Sequence, residues 1–255
     1  MIDDLPLTTI AALTGVAFVA GLIDAIAGGG GLLMVPSLLT AGLPPHFVFG
    51  TNKGAAVFGS GAALWRFARA RLIDGRRAKW LFPAGFVGSL AGAGLLLLIE
   101  PAVLRPLVLV LLVIAGVVVA FVRPGEQRPG APPVARATEK ALLLSAVLGA
   151  YDGFFGPGTG TFLIIGFVTV LQLTLQQASA TAKVVNFASN LAAMLLFVGR
   201  GLVLWKVSLP MAVGQFLGGI VGAQLAVQGG DRLVRRVVLG VVLALVARLG
   251  YDLWV

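Results

Sequence analysis

Long apolar stretches alternate with short polar connections along almost the whole chain. A helix that crosses a membrane needs about 20 apolar residues, and runs of 10–14 are typical of buried or re-entrant segments. By this rule the pattern predicts an all-α integral membrane protein with eight to ten transmembrane helices. The ten predicted helical segments cover residues 7–27, 31–43, 46–66, 79–99, 102–122, 141–155, 159–173, 177–199, 207–228 and 235–254.

The composition excludes a soluble globular domain. Hydrophobic residues make up 58% of the chain and charged residues 11%, whereas soluble domains average about 45–50% and 25%. The chain has no cysteine and a single histidine, His46, so we expect no thiolate chemistry, metal site or cofactor. The first residues, Met1-Ile-Asp-Asp4, lack the basic start of a signal peptide, and we expect the first helix to be retained.

A polar stretch rich in proline and glycine, residues 123–140, divides the chain into two membrane halves, residues 1–122 and 141–255. The halves share motifs in nearly one register. Asp24 matches Asp152 and the glycines 28–30 match residues 156–158 at an offset of 128, and the motif ending in Lys53 matches the one ending in Lys183 at an offset of 130. This register predicts two repeats of about five helical segments each.

Most of the basic residues lie in short clusters between the apolar segments. With both termini outside, thirteen of the nineteen lysines and arginines fall on the inner side, as the positive-inside rule requires. We therefore predict a multi-pass protein of the bacterial inner membrane with a cytoplasmic linker. Because each half has an odd number of segments, the second would be inverted, as in many secondary transporters. Anionic lipid accounts for the net charge of +9, so no nucleic acid is expected as a partner.

Two glycine-rich connections, Gly28–Gly31 and Gly156–Gly160, contain no charged residue. We interpret them as the tips of helical hairpins inside the membrane, where non-helical backbone survives only if protein or a watery cavity surrounds it. The alternative is that these glycines only let helices pack closely. The residues expected to break the helices are Gly28, Gly29, Gly30, Gly156 and Gly158.

Four ionisable residues lie within the apolar segments and away from their ends: Asp24, Lys53, Asp152 and Lys183. A charge at the centre of a membrane helix costs roughly 2.5–3.5 kcal/mol on insertion scales, and such residues are functional by default. The two aspartates precede the glycine turns. They are interpreted either as groups that couple transport to protons or cations, or as hydrogen-bonding anchors for the backbone of the broken helices.

The two lysines are candidates for an anion site. Each lies about two turns from the start of its helix, where the dipole disfavours a cation but favours a bound anion. Asn186 and Asn190 share a helix face with Lys183. The alternative is that the lysines form ion pairs that hold the bundle together, for example Lys53 with Asp24. The candidate substrate-binding residues are Thr51, Asn52, Lys53, Ser60, Thr181, Lys183, Asn186 and Asn190.

These motifs resemble those of the TauE/SafE family of sulfite-exporter-like transporters. The resemblance covers nearly the whole chain. The second half of the chain has Thr-Ala-Lys where the first half has Thr-Asn-Lys, so two half-sites built on the lysines would be unequal. The resemblance implies a secondary transporter that exports sulfur-containing anions such as sulfite or sulfoacetate. The motifs are Asp24-Ala-Ile-Ala-Gly-Gly-Gly-Gly-Leu-Leu-Met-Val-Pro36, Gly50-Thr-Asn-Lys53, Asp152-Gly-Phe-Phe-Gly-Pro-Gly-Thr-Gly160 and Lys183-Val-Val-Asn-Phe-Ala-Ser-Asn190.

Three functions compete at this point. The leading hypothesis is a carrier of a small anion that works by alternating access and is not an enzyme, since the nucleotide-binding pattern G-x-x-x-x-G-K-[ST] is missing from the sequence. A passive anion channel is the second. An intramembrane hydrolase is the third, in which Asp24 and Asp152 would share a proton and activate water. The expected partners are a small anionic substrate and membrane lipid, and a homodimer is left open.

Overall fold

The computed structural model describes residues 5–121 and 135–254, and the regular structure in these two ranges is entirely helical. The predicted linker, residues 123–140, lies largely outside the described residues. The described helices are α1 (Leu7–Ala27), α2 (Gly30–Thr40), α3 (Pro45–Arg69), α4 (Gly75–Leu96), α5 (Pro101–Phe121), α6 (Ala137–Phe154), α7 (Thr159–Leu171), α8 (Leu175–Gly199) and α9 (Trp205–Trp254).

The ninth helix is two helices in sequence. Its backbone is non-helical at Gly230, where φ is 57° and ψ is −158°. The described chain therefore contains ten helical segments, close to those that the apolar pattern predicts.

The lengths of the helices divide them into spanning and shorter segments. By length and composition, α1, α4, α8 and residues 205–237 of α9 can each cross a membrane. Helix α2 has 11 residues and α7 has 13, about 16 and 20 Å at 1.5 Å per residue. A bilayer core is about 30 Å thick, so neither short helix can cross it alone. The protein is an all-α integral membrane protein.

Helix α1 packs against α9, and α4 packs against α6. Glycines make both contacts close. A Cβ atom added at Gly88 would lie 2.1 Å from the Ala146 carbonyl oxygen, and one at Gly218 would lie 2.1 Å from the Phe18 carbonyl oxygen. Gly218 follows Gly88 by 130 residues, and Ala146 follows Phe18 by 128. The register shared by the two halves therefore extends from the motifs to the packing.

The glycine contact between α4 and α6 gives a stability prediction. A Cβ atom at Gly92 would lie 1.9 Å from the Ala150 carbonyl oxygen, whereas Gly94, in the same helix, has nothing within 4 Å. Overpacking a well-packed site costs about 1–3 kcal/mol. We expect Gly92→Ala to lower the thermal midpoint of the detergent-solubilised protein and Gly94→Ala to leave it unchanged. Equal midpoints for the two variants would contradict this close packing.

Two apolar clusters lie on either side of a buried polar layer. In α8 the residues of one cluster end at Val185 and those of the other begin at Ala193. Between them lie the buried polar side chains of Asn186, Ser189 and Asn190. A polar layer enclosed by two apolar clusters requires internal hydrogen-bond partners or a ligand.

Candidate functional site

The two glycine-rich turns contact each other in the interior. Gly28 has a φ of +68°, and a Cβ atom added there would lie 2.2 Å from the carbonyl carbon of Gly160. A Cβ atom on Gly160 would in turn lie 2.5 Å from the Gly28 Cα. Only glycine fits at either position. The end of α1 and the start of α7, which belong to different halves, thus meet backbone to backbone.

Hydroxyl groups of the second half bind the carbonyl groups freed at the end of α1. Thr161 Oγ1 donates to the carbonyl oxygens of Ala27 and Gly28. Ser179 Oγ donates to the Ile26 carbonyl oxygen at 2.9 Å. The last carbonyl groups of a helix have no partner within it, and leaving a buried one unpaired costs about 1–3 kcal/mol. These bonds let a helix end inside the protein.

The four ionisable residues of the apolar segments, of which Asp24 alone is partly exposed, form two ion pairs that cross between the halves. Lys53 Nζ lies 2.8 Å from Asp152 Oδ2, and Lys183 Nζ lies 2.8 Å from Asp24 Oδ2. Both lysines are buried, with exposed fractions of 2% and 0%. The pairing of Lys53 with Asp24, given as the example of a structural ion pair, is therefore wrong, because each lysine contacts the aspartate of the other half.

The first pair, Lys53 with Asp152, is completed by side chains of α8. Lys53 Nζ also donates to Asn190 Oδ1 at 2.9 Å. Ser189 Oγ donates to the same Asp152 oxygen that accepts from Lys53. The lysine, the carboxylate and the two α8 side chains form one buried network.

The second pair, Lys183 with Asp24, is bound to backbone instead. Asp24 Oδ1 accepts from the amide nitrogens of Gly29 at 3.2 Å and Gly30 at 3.3 Å. Asp24 thus holds the turn at the broken helix, as the anchor interpretation of the aspartates expects. The coupling role of Asp24 and Asp152 stays a prediction.

A small cavity lies where the turns and the ion pairs meet. Its volume is about 40 Å³, whereas a single water needs about 10–15 Å³. Helices α2 and α7 both begin at its wall, so their positive ends face it. The polar and charged residues that line it are Asp24, Asn52, Lys53, Asp152, Thr159, Asn186, Asn190 and Gln215.

One atom at the wall of this cavity has an unmet hydrogen-bonding capacity. Asn186 is 4% exposed, and its Oδ1 atom is the one buried side-chain nitrogen or oxygen without a partner in the described part of the chain. The oxygen and nitrogen of an amide are assigned from the hydrogen-bond network. In either orientation of the amide, a ligand or water in the cavity can supply the missing bond.

Four of the predicted substrate-binding residues, and the predicted helix-breaking residue Gly28, do not line the cavity. Lys183 lies behind Asp24, and Ser60 Oγ accepts from Asn190 Nδ2 at 3.3 Å. The two threonines bind backbone elsewhere: Thr51 Oγ1 accepts from Leu204 N, and Thr181 Oγ1 donates to the Gln177 carbonyl oxygen. The cavity thus brings together Asn52, Lys53, Asn186, Asn190, both aspartates and the predicted helix-breaking glycines 29, 30, 156 and 158.

Three polar residues of the site escaped the sequence analysis: Thr159, which lines the cavity at the start of α7, Ser189 and Gln215. Gln215 is 4% exposed and lines the cavity from α9, and Ser189 binds Asp152. Gln215 is a lone polar residue in the apolar, glycine-rich stretch Gly214–Gly222, and polar residues inside membrane segments are expected to have a role. That signal could have identified it.

Two broken helices that meet at a charged cavity are the arrangement found in many membrane transporters. The sequence profile described as "Sulfite exporter TauE/SafE" matches residues 13–249. The chain belongs to this family.

Curated relatives resemble the chain over nearly its whole length. A "Probable membrane transporter protein" of Haemophilus influenzae is 37% identical, covering 98% of this chain and 97% of its own. The "Probable membrane transporter protein ORF9" of a Sinorhizobium species is 38% identical over 98% and 95% of the two chains. YfcA of Escherichia coli, with the same description, is 37% identical over 93% and 88%. No solved structure matches the chain significantly.

Proposed function

We propose that the protein is a secondary transporter of a small anion, in particular a sulfur-containing oxyanion or organosulfonate, which binds in the central cavity. The observation that carries this proposal is the convergence of donors on that cavity. Lys53 and the amide groups of Asn52, Asn186 and Asn190 line it together with the starts of α2 and α7. Lysine, amide N–H groups and the positive end of a helix all favour an anion.

The ion pair of Lys53 and Asp152 gives the anion a binding step. An oxyanion in the cavity offers Lys53 the same kind of partner as the Asp152 carboxylate, 2.8 Å away. The carboxylate that it displaces keeps the hydroxyl of Ser189 as a donor. Binding is thus an exchange of one charge-assisted hydrogen bond for another.

Alternating access would follow from the two halves, which we propose to be inverted repeats. The ion pairs join Lys53 to Asp152 and Lys183 to Asp24, so a movement of one half against the other must rearrange them. In the proposed topology both termini face the outside of the bacterial inner membrane and the linker is cytoplasmic. With no nucleotide-binding motif in the sequence, the energy would come from an ion, proton or substrate gradient.

Uptake into proteoliposomes tests this proposal. Labelled sulfite, sulfate, thiosulfate and sulfoacetate would be supplied with and without a pH gradient. We expect saturable uptake of at least one of them, and its loss in the double variant Lys53→Met/Asp152→Asn, which removes the cation without leaving its partner unpaired.

The matched control removes an exposed ion pair. Arg136 and Glu139 lie 2.9 Å apart, with side chains 76% and 64% exposed, and the variant Arg136→Met/Glu139→Gln should transport normally. Absence of uptake for all four anions by the folded wild-type protein would contradict the proposal. Uptake that rises linearly with concentration, together with single-channel currents, would favour the anion channel instead.

A further inference from the structure

A second cavity lies apart from the central one, where the connection between α3 and α4 faces the first turns of α8. Its volume is about 240 Å³, well above that of the central cavity. It is on the side that the basic clusters predict to be cytoplasmic. Its polar lining consists of Arg71, Asp74, Arg77, Gln177 and Thr181.

The lining of this cavity, which we call the basic cavity, is positively charged overall. Its one carboxylate is already engaged, because Asp74 caps α4 by accepting from the Arg76 amide nitrogen at 2.9 Å and lies 3.4 Å from Arg77 Nε. The guanidinium group of Arg71 adds a second positive charge. Guanidinium groups present several donors in one plane, a geometry that matches oxyanions.

At the other end of α3, the positions related to this cavity by the repeat are closely packed. The positions 130 residues away from Thr181 and Asp74 are Thr51 and Leu204, and there the Leu204 amide nitrogen donates to Thr51 Oγ1 at 3.1 Å. A Cβ atom at Gly50 would lie 2.2 Å from the Leu202 carbonyl oxygen. The connection between α8 and α9 is thus packed directly on α3.

The residues themselves differ between the two ends. The positions equivalent to Arg77, Arg71 and Gln177 are Val207, Gly201 and Phe47, and Val207 is 3% exposed. The three side chains equivalent to Arg77, Arg71 and Gln177 thus supply neither a positive charge nor a polar group at the second end. The two ends therefore differ in charge at these positions because their residues differ.

We propose that the basic cavity is an anion-capture site, which binds small oxyanions from the predicted cytoplasmic side before they reach the central cavity. Thr181 at its wall and Asn186 at the central cavity are five residues apart on α8, about 7.5 Å along the helix axis. That the ligand of this site is the transported anion rests on the proposed function. A site at this end alone gives substrate a higher apparent affinity from the cytoplasmic side, as an exporter needs.

Sided transport measurements test the capture site. The variant Arg71→Gln/Arg77→Gln is compared with Arg76→Gln/Lys79→Gln, whose side chains line only a neighbouring cavity and whose loss of charge is equal. With anion supplied on the cytoplasmic side, we expect the first variant to raise the half-saturating concentration about tenfold, equivalent to 1.4 kcal/mol. The maximal rate, the opposite side and the second variant should be unaffected. Equal changes in both variants would overturn the proposal.

A binding measurement separates this proposal from the function proposed above. Sulfite and sulfate should raise the thermal midpoint of the purified protein, and should still do so in Lys53→Met/Asp152→Asn, which is expected not to transport. Adding Arg71→Gln/Arg77→Gln to that double variant, so that both cavities are altered, should abolish the shift. If the anions stabilise the variants in this way but the wild-type protein transports none of them, the capture site is supported and the transport function is refuted. Stabilisation by phosphatidylglycerol vesicles but by neither free anion would identify a lipid site and overturn the capture site.

Discussion

Asp152→Asn alone is expected to destabilise the protein by about 3–5 kcal/mol, the usual effect of removing one partner of a buried ion pair. The side chain of Lys53 is 3% exposed and that of Asp152 is 9% exposed. Without the carboxylate, the ammonium group has no negative charge among its described partners and only neutral amide oxygens, such as Asn190 Oδ1, as acceptors. Lys53→Met should be similarly harmful, because it leaves the carboxylate with Ser189 as its remaining side-chain donor.

The double variant Lys53→Met/Asp152→Asn should recover most of this loss, since replacing both members of a buried pair is often close to neutral. Thermal or denaturant unfolding of the purified protein measures all three variants. The exposed pair of Arg136 and Glu139 is the control, for which about 0–1 kcal/mol is expected. If the double variant were as unstable as the sum of the two single ones, the residues would not be acting as a pair.

This thermodynamic cycle also bears on function. A pair that served only stability could be replaced by neutral residues without effect on transport. If the pair binds the anion, replacing it with neutral residues must impair transport. Recovery of stability in the double variant without recovery of uptake would therefore assign Lys53 to the substrate and not only to the bundle.

The sequence predicted the helices well because apolar length alone determines where a chain can cross a membrane. The errors of the prediction lie at the ends of the helices. Helix α4 begins at Gly75 rather than at the predicted residue 79, since Asp74 caps it with a side-chain hydrogen bond to Arg76 N. The basic first turn of α4 is helical although it is polar. Hydropathy marks the part of a helix that lies in lipid, whereas capping determines where the helix begins.

The candidate site was predictable in its residues but not in its pairing. The charges of Asp24, Lys53, Asp152 and Lys183 stand out in apolar segments, so a single sequence suffices to identify them. Their partners depend on how the halves pack against each other, which no local pattern records. The contribution of Gln215 is of the same kind, because α9 brings it to the cavity only through close packing on glycines such as Gly59.

The internal repeat explains why the helices and packing glycines could be predicted, whereas the residues that differ between the two halves could not. Motifs and packing glycines repeat at offsets of 128 and 130, so one half predicts the other. The positions equivalent to Asn186, Ser189 and Asn190 are Ala56, Gly59 and Ser60. The polar network around Asp152 therefore has no copy around Asp24, and the two ion pairs are chemically distinct.

The contact between the glycine turns leads to the second large effect, expected for Gly28→Ala. The φ of +68° at Gly28 is unfavourable for alanine, and the new Cβ atom would lie 2.2 Å from the Gly160 backbone. Strain of this kind costs about 1–3 kcal/mol, and overpacking adds about 1–3 kcal/mol. We expect a lower thermal midpoint and loss of most anion uptake, because the turns form the wall of the central cavity.

The control for this variant is Gly42→Ala. Gly42 also has a positive φ, +86°, but nothing lies within 4 Å of its added Cβ atom. It reproduces the backbone strain without the collision, so the difference between the two variants isolates the contact of the turns. If Gly42→Ala impaired uptake as much as Gly28→Ala, the loss would reflect strain in general. A selective loss in Gly28→Ala would mean that transport requires the two halves to meet backbone to backbone at this point.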